Sequence, residues 1–199
     1  RTNRHIDIGS RNGSDAITIV SSVADITGNP ADTAVKKEGF RLNNANGIIN
    51  IRSNDTTGAM YAAFDLAEQI SMQNGLEGVK NKVSNPHTAF RAIKFNLPWS
   101  PYWQEQVTKD NFKTCRDTLY WKAFLNMMAQ NRFNVLTLWN LHPFTYMIRP
   151  ANFPKATEFS DTELADWKKF WHTLFRMAKE RGIQTYLVNW NIFVSMGFK

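Results

Sequence analysis

The chain has one cysteine, Cys115, in 199 residues. That excludes an intrachain disulfide and any zinc site built on several thiolates. No apolar run approaches the ~20 residues that a membrane-spanning helix needs. Ten glycines are present, yet none forms a G-x-G-x-x-G or Walker pattern, so the usual phosphate cradles are missing. Acidic residues number 17 against 24 basic ones, for a net charge of +7. The basic residues come singly or in pairs, such as Lys36-Lys37 and Lys168-Lys169, along the whole chain. A nucleic-acid surface needs them concentrated on one face. Nucleic-acid binding is therefore not expected, and a solvated basic surface is. An anionic ligand is compatible with this charge. Neither an initiator Met nor a signal-peptide pattern opens the chain at Arg1-Thr-Asn-Arg4, and Gly197-Phe-Lys199 comes soon after a strand. Both ends are expected to be internal points of a longer protein, so the missing signal carries no weight about export. Asn12-Gly-Ser14 and Asn54-Asp-Thr56 match the glycosylation sequon, a pattern short enough to arise by chance.

Tryptophan is also missing from the first half: all seven lie at or beyond Trp99. That shift divides the chain into two expected domains, 1–86 and 87–199, with the boundary near Ser84-Asn-Pro-His87. In the first, Ala16-Ile-Thr-Ile-Val20, Gly39-Phe-Arg-Leu42 and Ile48-Ile-Asn-Ile-Arg52 read as strands. Asn43-Asn-Ala-Asn-Gly47 suits a hairpin turn, because Asn and Gly tolerate positive φ. Asn54-Asp-Thr56 is placed to cap a helix over Thr57–Met72, with Met60, Ala63, Phe64, Ala67 and Ile70 on its sheet-covering face. This α+β layer reads as a packing module.

The second domain has a strand–helix rhythm. Ala92-Ile-Lys-Phe-Asn96 is a strand. Trp121, Phe124, Leu125 and Met128 give a helix over Thr118–Gln130 its apolar face. Val135-Leu-Thr-Leu-Trp139 reads as a strand covered on both faces. Ser160-Asp-Thr-Glu163 is a capping box opening a helix striped by Leu164, Trp167, Trp171, Leu174, Phe175 and Ala178. Gly182 ends it, and Ile183–Val188 is the next strand. Such alternation implies parallel strands joined by crossovers. The helix-to-strand links, Asn131-Arg-Phe133 and Arg181-Gly182, are short. The strand-to-helix links, Leu97 to Asp117 and Asn140 to Phe159, are long and rich in aromatic residues, Pro and Asn. A (β/α)₈ barrel elaborates its loops in this way because its active site lies at the strand C-termini. A doubly wound open sheet also binds ligands there, but usually through a short glycine-rich first turn. The barrel is favoured. The expected fold class is α/β and α+β: a small α+β N-terminal domain, then the first three βα units of a (β/α)₈ TIM barrel, which needs ~250 residues in full.

The order of these parts resembles glycoside hydrolases that join a small α+β domain to such a barrel, namely bacterial β-hexosaminidases and α-glucuronidases. Glu38-Gly-Phe-Arg-Leu42, Ile48-Ile-Asn-Ile51 and Gly58-Ala-Met-Tyr-Ala-Ala-Phe-Asp-Leu66 are similar to the family's N-terminal run, with Ala62 where the family has a second Gly. Phe90-Arg-Ala-Ile93 resembles the "F-R-G-I" entry to the first barrel strand, with Ala92 in place of Gly. Asn131-Arg-Phe-Asn-Val-Leu136 is similar to the hexosaminidase entry to the second strand, and Arg181-Gly-Ile183 through Leu187 to the α-glucuronidase third strand. Where hexosaminidases carry "H-x-H-x-x-D", this chain has Trp139-Asn-Leu-His142-Pro-Phe144. The resemblance implies a fragment of a hydrolase of O-glycosyl bonds, exo-acting on hexosaminides or uronic-acid-containing glycans. It implies catalytic carboxylates beyond residue 199, an oligo- or polysaccharide as partner, and a periplasmic or extracellular setting. No cofactor and no metal site is assigned.

Glycoside hydrolysis usually needs two carboxylates flanking the bond. Asp110, Asp117, Glu158 and Asp161 read as loop or helix-cap charges, and none stands immediately after a strand. The residues at the strand ends are neutral and suited to sugars: Asn96, Trp99, Tyr102 and Trp103 at the first, Trp139, Asn140 and His142 at the second, Asn189-Trp190-Asn191 at the third. Amides direct bonds to hydroxyls, and indoles stack on the C–H faces of sugar rings. The candidate substrate-binding set is Asn96, Trp99, Trp139, Asn140, His142, Asn189 and Asn191, together with Arg91, which the resemblance adds because its hexosaminidase counterpart contacts sugar hydroxyls. Packing beneath the loops is the competing role for the tryptophans, turn formation for the asparagines, and a structural carboxylate partner for Arg91. Lys94, inside a strand, calls for either a pairing role or a place near the strand's mouth. A non-catalytic carbohydrate-binding protein on the same scaffold fits the same residues.

Overall fold

The computed structural model describes residues 5–9, 16–21, 32–45, 48–73, 75–98, 105–140, 143–189. Its contacts divide the chain into two compact units, Arg1–Ala89 and Phe90–Lys199.

Among the described residues, the first unit has strands β1 (His5–Gly9), β2 (Ala16–Ser21), β3 (Phe40–Ala45), β4 (Ile48–Ser53) and β5 (Lys82–Ser84), with helix α1 (Thr56–Gln73) after β4. The strand order is β1-β2-β4-β3-β5. β2 and β4 pair in parallel, and the other neighbours are antiparallel. Ala45 faces Ile48 across the β3–β4 hairpin, and the two residues between them lie outside the described ones. β1 and β5 are strands that residue patterning did not single out.

α1 begins as its cap predicts. Asp55 Oδ1 accepts from Gly58 N at 2.7 Å, and Asp55 Oδ2 accepts from Glu38 N at 2.6 Å. One carboxylate thus covers two backbone donors and pins the preceding loop to the helix start. The buried face differs from the expected one. Tyr61, Ala62 and Leu66 enter the core with Phe40, Leu42, Ile49 and Ile51, while Met60, Phe64 and Ile70 flank it and Ala63 and Ala67 are exposed. The cause is Asp65, a buried carboxylate held by Lys82 Nζ at 2.6 Å and Gln69 Nε2 at 2.8 Å. A paired charge occupies the inward stripe that a search for apolar spacing passes over.

The second unit contains β6 (Ala92–Asn96), α2 (Glu105–Cys115), α3 (Thr118–Gln130), β7 (Val135–Asn140), α4 (Asp161–Glu180) and β8 (Gln184–Asn189). The three strands are parallel in the order β6-β7-β8. α2 lies within the stretch expected to be loop between β6 and α3. α3 starts on the Asp117 side chain, which accepts from Leu119 N at 2.8 Å. α4 starts on the expected capping box: Ser160 N donates to Glu163 Oε2 at 2.8 Å, and Glu163 N to Ser160 Oγ at 3.3 Å.

Helices cover one face of this sheet. Leu97, Leu136 and Leu138 meet Trp121, Leu125 and Met128 of α3 and Trp167, Trp171, Leu174 and Ala178 of α4 in one core, with Ile93, Phe95 and Leu187 partly buried against it. A strand sends successive side chains to opposite faces. The alternate residues form three rows on the other side: Ala92, Val135 and Gln184, then Lys94, Thr137 and Tyr186, then Asn96, Trp139 and Val188. Lys94, Asn96, Tyr186 and Val188 are exposed there, and Thr137 and Trp139 are half-buried. Among the described residues, β7 is covered fully on the helix face and in part on the other, where Val135 is buried and Thr137 and Trp139 are half-buried.

Candidate functional site

The side-chain alternation that builds the core also sorts the candidate residues. Asn96 and Trp139 are register partners on the open face, at the C-terminal ends of adjacent strands. Asn140 and Asn189 are register partners on the face toward the helices. Asn140 is 1% exposed, and its amide donates to Leu97 O at 3.2 Å while Leu97 N donates to Trp139 O at 2.9 Å. These bonds hold the chain leaving β6 against the end of β7. Asn189 is half-buried. Trp99, His142 and Asn191, with Tyr102, Trp103 and Trp190, lie outside the described residues.

Arg91 stands at the opposite end of the sheet from Asn96, five residues of strand or about 16 Å away at ~3.3 Å per residue. Its Nε donates to Arg132 O at 2.7 Å, and its backbone N to Asn134 Oδ1 at 3.0 Å. Asn134 O accepts in turn from Gln184 N at 2.9 Å. Arg91 and Asn134 therefore tie the strand entries together.

The open face adds one residue whose role the sequence left undecided. The Lys94 ammonium lies 4.8 Å from the centre of the Trp139 ring. Lys94 and Asn96 are two apart on β6, and Thr137 and Trp139 two apart on β7, so all four share a side. The period-2 rule could have found this grouping, since it separates Trp139 from Asn140 and joins Lys94 to Asn96. The set offers a cation, an indole, an amide and a hydroxyl. Such groups can hold a polar ligand but supply no carboxylate, and no acidic residue occurs in β6, β7 or β8.

The segment leaving β7 is firmly built. Arg149 Nη2 donates to Phe159 O at 2.5 Å and to Asp161 Oδ1 at 3.1 Å. Thr157 Oγ1 is placed against Thr145 O at 2.5 Å and Ile148 O at 3.1 Å. Trp171 Nε1 donates to Tyr146 O at 2.9 Å. The Tyr146 ring packs among Phe112, Phe159 and Trp167 at centroid distances of 5.9, 4.8 and 5.1 Å. Burial, with smaller contributions from the Glu158 charge and Cys115, pushes the Tyr146 hydroxyl above the ordinary tyrosine range, so it stays protonated. In the first unit, Lys36, Val83, Ser84, Asn85, Pro86 and His87 line an open cleft of about 470 Å³. Among the described residues, no group of three or more His, Cys, Asp or Glu is placed to hold a metal, and no helix is long and apolar enough to cross a membrane.

No protein-family model matches this sequence, and no curated protein does. Solved structures do. A GH138 enzyme targeting pectin rhamnogalacturonan II superposes with a TM-score of 0.71 at 24% identity, over 81% of this chain and 19% of its own. A β-N-acetylhexosaminidase from Bacteroides fragilis gives 0.51 at 15% identity, over 78% of this chain and 31% of its own. The GH20 β-N-acetylhexosaminidase from Streptomyces coelicolor A3(2) gives 0.50 at 12% identity, over 79% and 32%. The chain thus spans between about a fifth and a third of these enzymes. Its mixed α/β architecture is similar to that of glycoside hydrolases.

Proposed function

We propose that this chain is part of an exported glycosidase that hydrolyses O-glycosyl bonds. In this reading β6, β7 and β8 are the first three strands of a (β/α)₈ barrel, and the open face of the sheet belongs to its interior. The observation that carries the proposal is the grouping of Asn96, Trp139 and Lys94 at the C-terminal ends of parallel strands, in a fold shared with glycoside hydrolases. Those strand ends are where barrel enzymes bind substrate. The indole supplies a stacking surface for a sugar ring, and the Asn96 amide directs bonds to its hydroxyls. The residues assigned to binding are Asn96 and Trp139, with Trp99, His142 and Asn191 as further candidates. The two carboxylates that the chemistry requires come from outside β6–β8. The substrate class is a hexosaminide or a uronic-acid-containing glycan; the β-N-acetylhexosaminidases and the rhamnogalacturonan II enzyme among the structural neighbours support these two choices.

A non-catalytic carbohydrate-binding protein is the second reading, favoured by the neutral and cationic character of the open face. One experiment separates the two. The full-length protein is incubated with rhamnogalacturonan II, a nitrophenyl N-acetylglucosaminide and a nitrophenyl glucuronide, and released monosaccharide is measured alongside binding. Release establishes the glycosidase. Binding without release favours the second reading, and absence of both release and binding removes the two readings together.

A further inference from the structure

The loop before β3 is held by asparagine amides. Asn54 Nδ2 donates to Val35 O at 2.6 Å, and Asn85 Nδ2 to Ala34 O at 2.9 Å. Asn85 Oδ1 accepts from Lys36 N at 2.8 Å, and Lys36 O accepts from Gly39 N at 2.9 Å. Val35 is buried, and a side chain at Gly39 would collide with Asn85 Oδ1. The backbone of Lys36 is therefore fixed on both sides. β5 is fixed as well, with Ser84 paired to Phe40 and Val83 to Arg41 of β3. Lys36 and residues Val83 to His87 line the cleft of about 470 Å³ between these parts, within the size range of small-ligand sites. All of them belong to the first unit. Two side chains of the lining are left out of this framework. Lys36 and His87 are exposed, and among the described residues neither side chain has a hydrogen bond, ion pair or ring contact. No carboxylate lines the cleft.

We propose that this cleft binds an acidic sugar residue of a glycan, with Lys36 and His87 holding its anionic substituent. The choice of a sugar rests on the carbohydrate reading above; the choice of an anion rests on the cleft. An ammonium brings three N–H donors and a neutral imidazole one. The lining offers these donors no carboxylate. The nearby acids Asp32 and Asp55 are engaged elsewhere, Asp32 by Arg41 and Asp55 by the backbone N–H groups of Glu38 and Gly58. A carboxylate or sulfate accepts from both Lys36 and His87, and hydrogen bonds of this charge-assisted kind to the ammonium are roughly twice as strong as neutral ones. Pro86 and the exposed Val83 supply C–H surface in the same cleft. A pyranose ring can cover that surface, and a bare inorganic anion cannot. Because the backbone on both sides is already ordered, binding needs to immobilise few protein groups beyond the two donor side chains. The shared chemistry of the ligand is a negative charge on a pyranose, whether a uronate carboxylate or a sulfate ester.

The test is titration calorimetry on the full-length protein with D-galacturonate, D-galactose 6-sulfate, D-galactose and inorganic sulfate. The variants are Lys36→Met, Lys36→Arg and His87→Gln, with Lys168→Met as an exposed lysine outside the cleft and circular dichroism as the folding control. Lys36→Met and His87→Gln are each expected to weaken the acidic sugars about three- to tenfold and to leave galactose unchanged. Lys36→Arg keeps the preference for acidic sugars, and Lys168→Met binds as wild type. A response confined to galacturonate supports a carboxylate ligand, and one confined to the sulfated sugar supports a sulfate ester. Lys36→Met and His87→Gln both binding as wild type, or Lys168→Met weakening the acidic sugars as much as they do, overturns the cleft. So does wild-type protein that binds neither acidic sugar, or that binds inorganic sulfate as tightly as either. Release of monosaccharide from the nitrophenyl glycosides is followed in parallel and is expected to be the same in all variants. Cleft-dependent binding by a protein that releases nothing supports this site and counts against the glycosidase reading. Release without cleft-dependent binding keeps that reading and overturns this site.

Discussion

Arg132 and Gly182 hold the same left-handed backbone at two successive helix-to-strand turns, with φ of 62° and 68°. The surrounding bonds repeat. Asn131 N and Arg181 N donate back into the helix, and Phe133 N and Ile183 N reach Met128 O and Ala178 O at 2.8 and 3.0 Å. This is the six-to-one closure of a Schellman-type C-cap. A Cβ in the left-handed region costs about 1–2 kcal/mol. Arg132→Gly is therefore expected to stabilise the protein by up to about 1 kcal/mol, the relief of strain less the entropy that glycine adds to the unfolded chain. Gly182→Ala should destabilise it by about 1–2 kcal/mol. Urea unfolding of the two variants checks both signs, and a destabilised Arg132→Gly would refute the strain argument.

The Asp65–Lys82 pair gives a second prediction. Asp65 is 5% exposed, with its Oδ1 2.6 Å from Lys82 Nζ. Removing one partner of a buried ion pair strands the other charge. The Lys82 side chain is 37% exposed and Gln69 still donates to Asp65, so Lys82→Met should cost about 1–3 kcal/mol, whereas the double variant Asp65→Leu/Lys82→Met should recover most of it. Thermal unfolding of both decides the matter: equal losses in the single and double variants would show that the pair acts through packing alone.

Where the apolar period is clean, the sequence and the structure agree. Trp121, Leu125 and Met128 on α3, and Leu164, Trp167, Trp171 and Leu174 on α4, are buried as their spacing requires. α2 escaped notice because its sequence is mostly polar; among its described side chains, Phe112 and Cys115 reach the core. The α1 face was misplaced because Asp65 is inward and Ala63 and Ala67 are not. At the strand ends, Asn96, Trp139, Asn140 and Asn189 were picked out by residue type and position, but which of them share a face was not. Trp139 and Asn140 are neighbours on one strand and go to opposite faces, a consequence of the pleat that counting residues near a strand end ignores.

Cys115 is 2% exposed, and burial pushes its thiol up to about 12. A raised thiol pKa keeps the neutral form in the folded state, while the unfolded chain ionises near 8.5. The stability this contributes is present below about pH 8.5 and is lost as pH rises toward 12. The thiolate is the reactive species. Native protein at pH 8 is expected to resist iodoacetamide, with one equivalent incorporated after unfolding in urea. Rapid labelling of the native chain would contradict the burial.

Arg176, Arg149 and Asp32 show how differently an ion pair can matter. Arg176–Glu180 is an exposed i,i+4 pair on α4, worth a few tenths of a kcal/mol at most. The Arg41 hydrogen bond holds the Asp32 carboxyl below its ordinary range. Its stabilising effect is present at neutral pH and is lost as pH falls through that lowered pKa. Arg149 does something else: it gathers Pro154 O, Thr157 O, Phe159 O and Asp161 around one guanidinium. Most of these are backbone carbonyls in the segment that leaves β7 beside Trp139. Arg149→Met should open that segment while the Trp167–Trp171–Leu174 core stays intact. The expected result is faster proteolysis between residues 148 and 160 and faster amide exchange there. Global stability should fall by only about 1–2 kcal/mol, the scale of a few partly exposed hydrogen bonds. Limited proteolysis with mass spectrometry reads the first, and denaturant melts the second. A global unfolding with no preference for this segment would show that Arg149 holds the whole unit and not the loop.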